Sequence, residues 1–241
     1  MPPAAATARD PRVARVAALL REPGRQIVLD GPELIAEAVA NGLPIELVLA
    51  ADPAAWSHLD TEVIPAAPDA LRALGALGQP AEVAAIIDRP PPGDPANATL
   101  VLAGVSDAGN IGSILRTFVA LVCETHPGGD KRRPTVAVRM DCADPFSRRA
   151  LRAAAGASLR PGLIARVETL DDIPRALAAT TPRHGQPPEA LPKNVALVLG
   201  NERTGLTQQE IEACEHRCTI PMKGFESLNV AAAAAILLYC R

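Results

Sequence analysis

Beyond residue 98 the chain settles into one repeating pattern that few folds can accommodate. Short apolar runs (TLVLAGV, TVAVRM, LIARVE, VALVLG and RCTIPM) alternate with longer stretches such as IGSILRTFVALV, PFSRRALRAAAGA and TQQEIEAC. Strands that are apolar along their whole length are buried on both faces, and strands that alternate with helices run parallel. A further helix is expected within DIPRALAAT, a loop over TPRHGQPPEALPKN, and a last helix over VAAAAAILLY. The expected fold of this part is α/β, a parallel sheet covered by helices on both faces.

Upstream, Asp10 and Pro11 start a helix through VARVAALLRE, because Asp accepts the free amides of a first turn and Pro suits the first helical position. QIVL, IELVLA, EVIPA and AEVAAIID read as strands, and PELIAEAVANG and PDALRALGAL contain helices. Residues 1–88 therefore read as a small layered α/β domain and residues 99–241 as a second one. Between them, residues 89–98 form a linker within DRPPPGDPANA, whose four prolines forbid regular pairing.

Composition narrows the function classes. Of 241 residues, 48% are hydrophobic, enough for a core, but only 2% are aromatic, which disfavours a protein that stacks several exposed bases. The longest apolar run, Val230 to Tyr239, has ten residues, short of the roughly 18 that a membrane helix needs. MPPAAATARDPR lacks a basic stretch followed by an apolar core, so no signal peptide is read there. Five cysteines are an odd number without paired metal spacing, and no His completes a site around Cys214 and Cys218, so no metal is expected and the compartment is read as the reducing cytoplasm. Charge is divided unevenly. Residues 1–98 hold seven Lys/Arg against 13 Asp/Glu, and residues 99–241 hold 17 against 14, so a polyanion would meet the second part.

Ligands of open α/β sheets bind beyond the carboxyl ends of strands, which directs attention to three loops. In SDAGNIGSILRT, Gly109 and Gly112 allow a tight turn, Asn110 can cap the helix, and Arg116 stands amid an apolar stripe where it can equally be a solvated residue. The glycines fit neither G-x-G-x-x-G nor the P-loop pattern. In GNERTGLT, Thr207 and Glu210 make a capping box, which leaves Gly200, Glu202 and Gly205 unexplained. In IPMKGFESLNV, Pro221 and Gly224 bend the chain, and Ser227 and Asn229 either cap the last helix or stand at the mouth of a cleft.

Taken in order, DAGNIGSILRT, LVLGNERTGLT and IPMKGFESLNVAAAAAILLY resemble the three motifs of the SpoU/TrmH family of RNA 2'-O-ribose methyltransferases, within the SPOUT superfamily. The resemblance covers residues 99–241. RQIVLDGPELIAEAVANGLPIELVLA and QPAEVAAII resemble the L30e-like substrate-binding domain of many members. It implies a parallel sheet with a C-terminal trefoil knot that binds S-adenosylmethionine, and a homodimer assembled through the knot domain, the last helix packing at the interface. Asn110 and Arg116 fall on the first motif's Asn and catalytic Arg, Glu202 on the second motif's acid, and Ser227 and Asn229 on the third motif's Ser and Asn. Leu199, Gly200, Ile220, Met222, Leu228 and Asn229 match the cofactor lining. Arg116 is given the activation of the ribose hydroxyl. A guanidinium titrates above about 12, so the alternative is that it stabilises the developing alkoxide and holds a phosphate.

Two features depart from the family. VCETHPGGDKRRPTVAV is longer and more basic than usual, and Lys131, Arg132 and Arg133 within 126–134 either contact RNA or form a solvated loop; Arg148, Arg149 and Arg152 are the better-placed phosphate contacts. The first domain is acidic, although Arg12, Arg15, Arg21 and Arg25 cluster near its start. The expectation is a methyltransferase acting on ribosomal RNA, with transfer RNA as the alternative substrate. Outside that class stand a noncatalytic RNA-binding protein that keeps the knot as a scaffold and a methyltransferase of small molecules or proteins.

Overall fold

The computed structural model describes residues 5–75, 79–123, 133–224 and 227–241. They form two compact units, Met1–Pro90 with Phe146–Arg160, and Pro91–Pro145 with Pro161–Arg241. The segment 146–160, expected in the second domain, thus packs with the first.

In the first unit, α1 (Pro11–Arg21) starts where Asp10 accepts the Arg12 amide at 2.9 Å, and it buries Val13 and Val16. Then follow β1 (Gln26–Asp30), α2 (Pro32–Ala40), β2 (Ile45–Ala50), β3 (Glu62–Pro65), α3 (Pro68–Leu74) and β4 (Val83–Asp88). The sheet order is β1-β4-β2-β3, with β4 antiparallel to both β1 and β2, and β3 parallel to β2. Alternation divides each strand between two faces. Val28, Leu47, Leu49 and Ile86 join Val13, Val16 and Leu74 in one core, while Ile27, Leu29 and Val48 point to the other face.

The second unit contains β5 (Ala98–Leu102), α4 (Ala108–Val122) and β6 (Thr135–Arg139). The chain then contributes α5 (Arg148–Ala154) to the first unit and returns for β7 (Ile164–Val167), β8 (Leu177–Thr180), β9 (Ala196–Leu199), α6 (Gln208–Glu212), β10 (His216–Cys218) and α7 (Val230–Tyr239). All six strands of its sheet are parallel, in the order β10-β8-β9-β5-β6-β7. From β5 the chain winds outward through β6 and β7, then crosses to the other side of β5, where β9 lies beside β5, β8 beyond β9 and β10 at the edge. The order therefore reverses at β5 and β9, and the carboxyl ends of that pair are where such sheets bind ligands.

Two local expectations are corrected. DIPRALAAT is not a helix, because Leu177–Thr180 is the strand β8, paired with β9 on one side and β10 on the other, after a 3-10 turn at Leu170–Asp172. Four apolar residues carry no period of their own; partners on both sides and the Glu215 carboxylate, which accepts the Leu177 amide at 2.7 Å, decide for strand. The cap of α4 is Asp107, which accepts the Asn110 amide at 2.9 Å, and this leaves the Asn110 side chain available. No helix among the described residues is long and apolar enough to cross a membrane.

Candidate functional site

Three chain segments meet at the carboxyl ends of β5 and β9. The first turns at Gly104, whose φ of +72° suits glycine, and enters α4. The second, from Gly200 to Leu206, folds back on itself: Asn201 and Gly205 exchange backbone hydrogen bonds of 3.2 and 2.9 Å, with Gly205 at φ +67°. A Cβ on Gly200 would lie 2.4 Å from the Gly205 carbonyl carbon, so only glycine permits this closure. Asn201 binds the two segments together, donating to the Gly104 carbonyl at 2.7 Å and accepting the Arg203 amide at 2.9 Å. The third segment approaches α7, whose apolar face, with Val230, Ala234, Leu237 and Leu238 buried, packs with α4.

Glu202 is the centre of this junction. Its carboxylate accepts the Ser106 amide and hydroxyl and the Asp107 amide, each at 3.1 Å, and the Asn110 side-chain amide at 3.0 Å. Burial pushes its pKa up, but the hydrogen bonds from Asn110, its own backbone, Ser106 and Asp107 outweigh that and hold it at about 2. A carboxylate so acidic is no proton acceptor near neutral pH. Glu202 acts instead as an anchor for the start of α4.

The anchor also orients what lies beyond it. A carboxylate only accepts, so Asn110 must turn its amide nitrogen to Glu202 and its oxygen outward. That oxygen accepts the Asn229 side-chain amide at 3.1 Å, and the Asn229 oxygen accepts the Ala231 and Ala232 amides at 2.9 and 3.3 Å. Asn229 therefore caps α7 and holds Asn110 at once, through opposite ends of one amide. Hydrogen-bond polarity runs without a break from the ionised Glu202 to the amino end of α7.

Beside this relay lies a cavity of about 520 Å³, within the range of small-molecule sites. Leu199, Gly200, Ile220, Met222 and Leu228 line it, as do Glu202 and Ser227. Of the residues expected at the cofactor, Asn229 stands apart from the lining and touches Asn110 instead. Arg116 is exposed on α4, and its side chain makes no hydrogen bond or ion pair among the described residues. The sequence reading passed over Ser106 and Asp107 as holders of Glu202, Asn201 as the brace of its loop, and Thr180, Thr181 and Pro182 in the lining. Asp107, three residues before Asn110, carries the signal of a helix cap; Thr180 and Thr181 carry none, the first ending a stretch that reads as helical and the second opening one that reads as a loop.

A second network braces the site from outside. The Arg139 guanidinium binds Asp141, with Nε donating at 2.8 Å, and also binds Glu210. Asp141 accepts the Gly104 amide at 3.1 Å, and Glu210 accepts the Thr207 amide and hydroxyl at 2.6 and 2.9 Å. Gly104 is thus held through its amide by Asp141 and through its carbonyl by Asn201. The guanidinium beside Asp141 lowers that carboxyl's pKa; at Glu210 burial opposes, while Thr207 and Arg139 lower it.

The arginines assigned to RNA divide. Arg148 donates to the Asp30 carboxylate at 2.6 Å and to the Gly75 and Leu74 carbonyls at 2.9 and 2.8 Å, so its guanidinium is committed within the first unit. Arg152 joins it on Asp30 at 2.8 Å but leaves 46% of its side chain exposed, and Arg149 is exposed. Arg133 is exposed, whereas Lys131 and Arg132, like Phe225 and Glu226 of the third motif, lie outside the described residues.

The chemistry of the lining suits S-adenosylmethionine, since apolar side chains from four chain segments can hold the adenine and the turn at Gly200–Gly205 brings backbone close to the ligand. Comparison with known proteins agrees. The crystal structure of the SpoU methyltransferase AviRb from Streptomyces viridochromogenes in complex with AdoMet is 26% identical, covers 96% of this chain and 97% of its own, and superposes with a TM-score of 0.79. The 23S rRNA (guanosine(2553)-2'-O)-methyltransferase RlmP of Bacillus subtilis is 29% identical over 224 residues, 88% of this chain and 86% of RlmP. An uncharacterized tRNA/rRNA methyltransferase of Mycobacterium bovis is 35% identical over 160 residues, 61% of this chain, and the match spans only 52% of that relative's length. The profile of the SpoU rRNA Methylase family matches residues 97–239, more than half of the chain, and the protein belongs to that family.

Proposed function

We propose that this protein is an S-adenosylmethionine-dependent RNA 2'-O-ribose methyltransferase whose substrate is ribosomal RNA. The observation that carries the reading is the relay from Glu202 through Asn110 to Asn229, set at the edge of a cavity lined by the residues that match the cofactor motifs. Ribosomal RNA is favoured over transfer RNA because RlmP, which aligns over most of both chains, is named for that substrate.

Leu199, Gly200, Ile220, Met222 and Leu228 hold the cofactor, which when bound supplies a methyl group on a sulfonium and leaves as a neutral thioether. Catalysis by the chain is mainly alignment of the ribose oxygen with the methyl carbon and sulfur. Asn110 and Asn229, immobilised by their mutual hydrogen bond, shape the edge of the site, and Ser227 adds a hydroxyl at its lining. As the O–C bond forms and the S–C bond breaks, the ribose hydroxyl loses its proton to solvent. Arg116, with no carboxylate to neutralise it among the described residues, stabilises the oxygen while it carries charge.

The same reading extends to the architecture. The stretch from β10 to α7 is proposed to complete a trefoil knot; in support, segments around 180, 200, 220 and 230 converge on one cavity. Residues 1–88 are proposed as the L30e-like module, 89–98 as the linker and 99–241 as the methyltransferase domain, apart from 146–160, which packs with the first unit. A homodimer through α7 is supported by its exposed Ile236 and Tyr239, the latter 81% accessible. The proposed location is the cytoplasm.

The test is incubation of the purified protein with labelled S-adenosylmethionine and total RNA from cells that lack it, followed by mapping of ribose methylation. Label at a single 2'-hydroxyl of ribosomal RNA is the expected result. Label only in transfer RNA corrects the substrate, and a folded, cofactor-binding protein that labels no RNA overturns the proposal.

A further inference from the structure

The cavity is lined almost entirely by neutral groups, with one described cation, Arg203, and one carboxylate, Glu202. The carboxylate is already satisfied by four donors. The cation is not. Arg12, Arg15, Arg25, Arg139, Arg148 and Arg152 all pair with acids, whereas the Arg203 side chain is exposed and has neither hydrogen bond nor ion pair among the described residues. Its backbone, by contrast, is tightly held. The Arg203 and Thr204 amides donate to Asn201 Oδ1 at 2.9 and 3.3 Å, and the Asn201–Gly205 pair closes the turn around them. A rigid turn in the cavity wall whose guanidinium has no partner among the described residues is suited to a planar anion, which a guanidinium binds through two parallel hydrogen bonds.

Resting on the reading of this cavity as the S-adenosylmethionine site, we propose that Arg203 holds the carboxylate of the cofactor's amino-acid moiety. The other parts of that ligand do not suit it. Adenine and ribose are uncharged and satisfied by apolar walls and backbone groups, while the sulfonium and the α-ammonium are positive and repel a guanidinium. The carboxylate is the single anion the ligand carries. Arg203 then fixes the end of the ligand remote from adenine, and so helps to set the direction in which the methyl group is presented.

Calorimetric titration of the full chain with two probes tests this. S-adenosylhomocysteine carries the carboxylate, and 5'-methylthioadenosine lacks the whole amino-acid part. Arg203→Gln is expected to weaken S-adenosylhomocysteine about tenfold and to leave 5'-methylthioadenosine unchanged, with Arg203→Lys recovering part of the loss. Retained binding of 5'-methylthioadenosine also shows that the variant is folded. Equal loss for both probes, or loss for neither, overturns the inference; loss for neither combined with weaker RNA retention reassigns Arg203 to the RNA phosphates. Wild-type protein that binds neither probe overturns the reading of the cavity together with the inference, whereas wild-type binding of both without an Arg203 effect overturns the inference alone.

Discussion

Four hydrogen bonds converge on Glu202, and none comes from a cation, so its acidity is produced by amide and hydroxyl dipoles aimed at one carboxylate. The consequence for stability has a definite sign. The folded pKa of about 2 lies below the ordinary 4.5, so ionised Glu202 favours the folded state above about pH 4.5, and that contribution is lost as pH falls from 4.5 towards 2. Glu202→Gln should lower the melting temperature at pH 7, with the gap to wild type shrinking by pH 3; a gap that stays constant would mean that the charge of Glu202 is immaterial. Arg116 acts on the opposite side of the ledger, in the reaction rather than the fold. Because it braces nothing among the described residues, Arg116→Ala is expected to cut turnover by about 10²–10³-fold, the range for loss of one oxyanion donor, with the cofactor Kd and melting temperature unchanged. Unchanged turnover would remove it from the mechanism.

At the scale of elements, glycine and buried charge decide more than helix propensity does. Gly200 ends β9 against the returning backbone of its own loop, where an added methyl would sit 2.5 Å from the Leu206 amide nitrogen. Gly200→Ala should therefore open the turn and weaken cofactor binding by at least tenfold while the sheet persists, a result read from calorimetry beside circular dichroism. In the first unit, Asp30 is buried with its side chain 2% exposed and holds both Arg148 and Arg152 of α5. Asp30→Ala leaves these guanidinium groups without their shared anion and should cost about 3 kcal/mol in denaturant unfolding. The same pair explains a limit of sequence reading. The apolar period of PFSRRALRAAAGA announces a helix, but its association with the first unit is written in an ion pair between residues 118 positions apart. DIPRALAAT failed for a related reason, since a four-residue strand is defined by the strands beside it. By contrast the capping box of Thr207 and Glu210, the Asp10 cap and the ten residues of α7 are local, and they were legible.

Over the whole molecule, charge was legible as a total but its accessibility was not. The arginines that cluster in the first part of the sequence are largely offset: Arg12 pairs with Asp10 and Glu62, Arg15 with Glu46, and Arg25 with Asp88. In the second unit, Arg116, Arg133 and Lys223 are exposed without ion pairs among the described residues, and Lys223 follows Met222 of the cavity lining. A cation that already neutralises a carboxylate releases few counterions when a phosphate arrives, whereas an unpaired one releases nearly its full share. RNA affinity should accordingly fall as salt rises, and Lys223→Gln should weaken binding and flatten the log–log salt slope by about 0.7 if it meets single-stranded RNA. Arg15→Gln should change neither quantity, because it removes a charge that Glu46 already offsets. Filter binding across 50 to 300 mM salt separates these cases. A flatter slope with Arg15→Gln, and none with Lys223→Gln, would move the electrostatic footprint to the first unit.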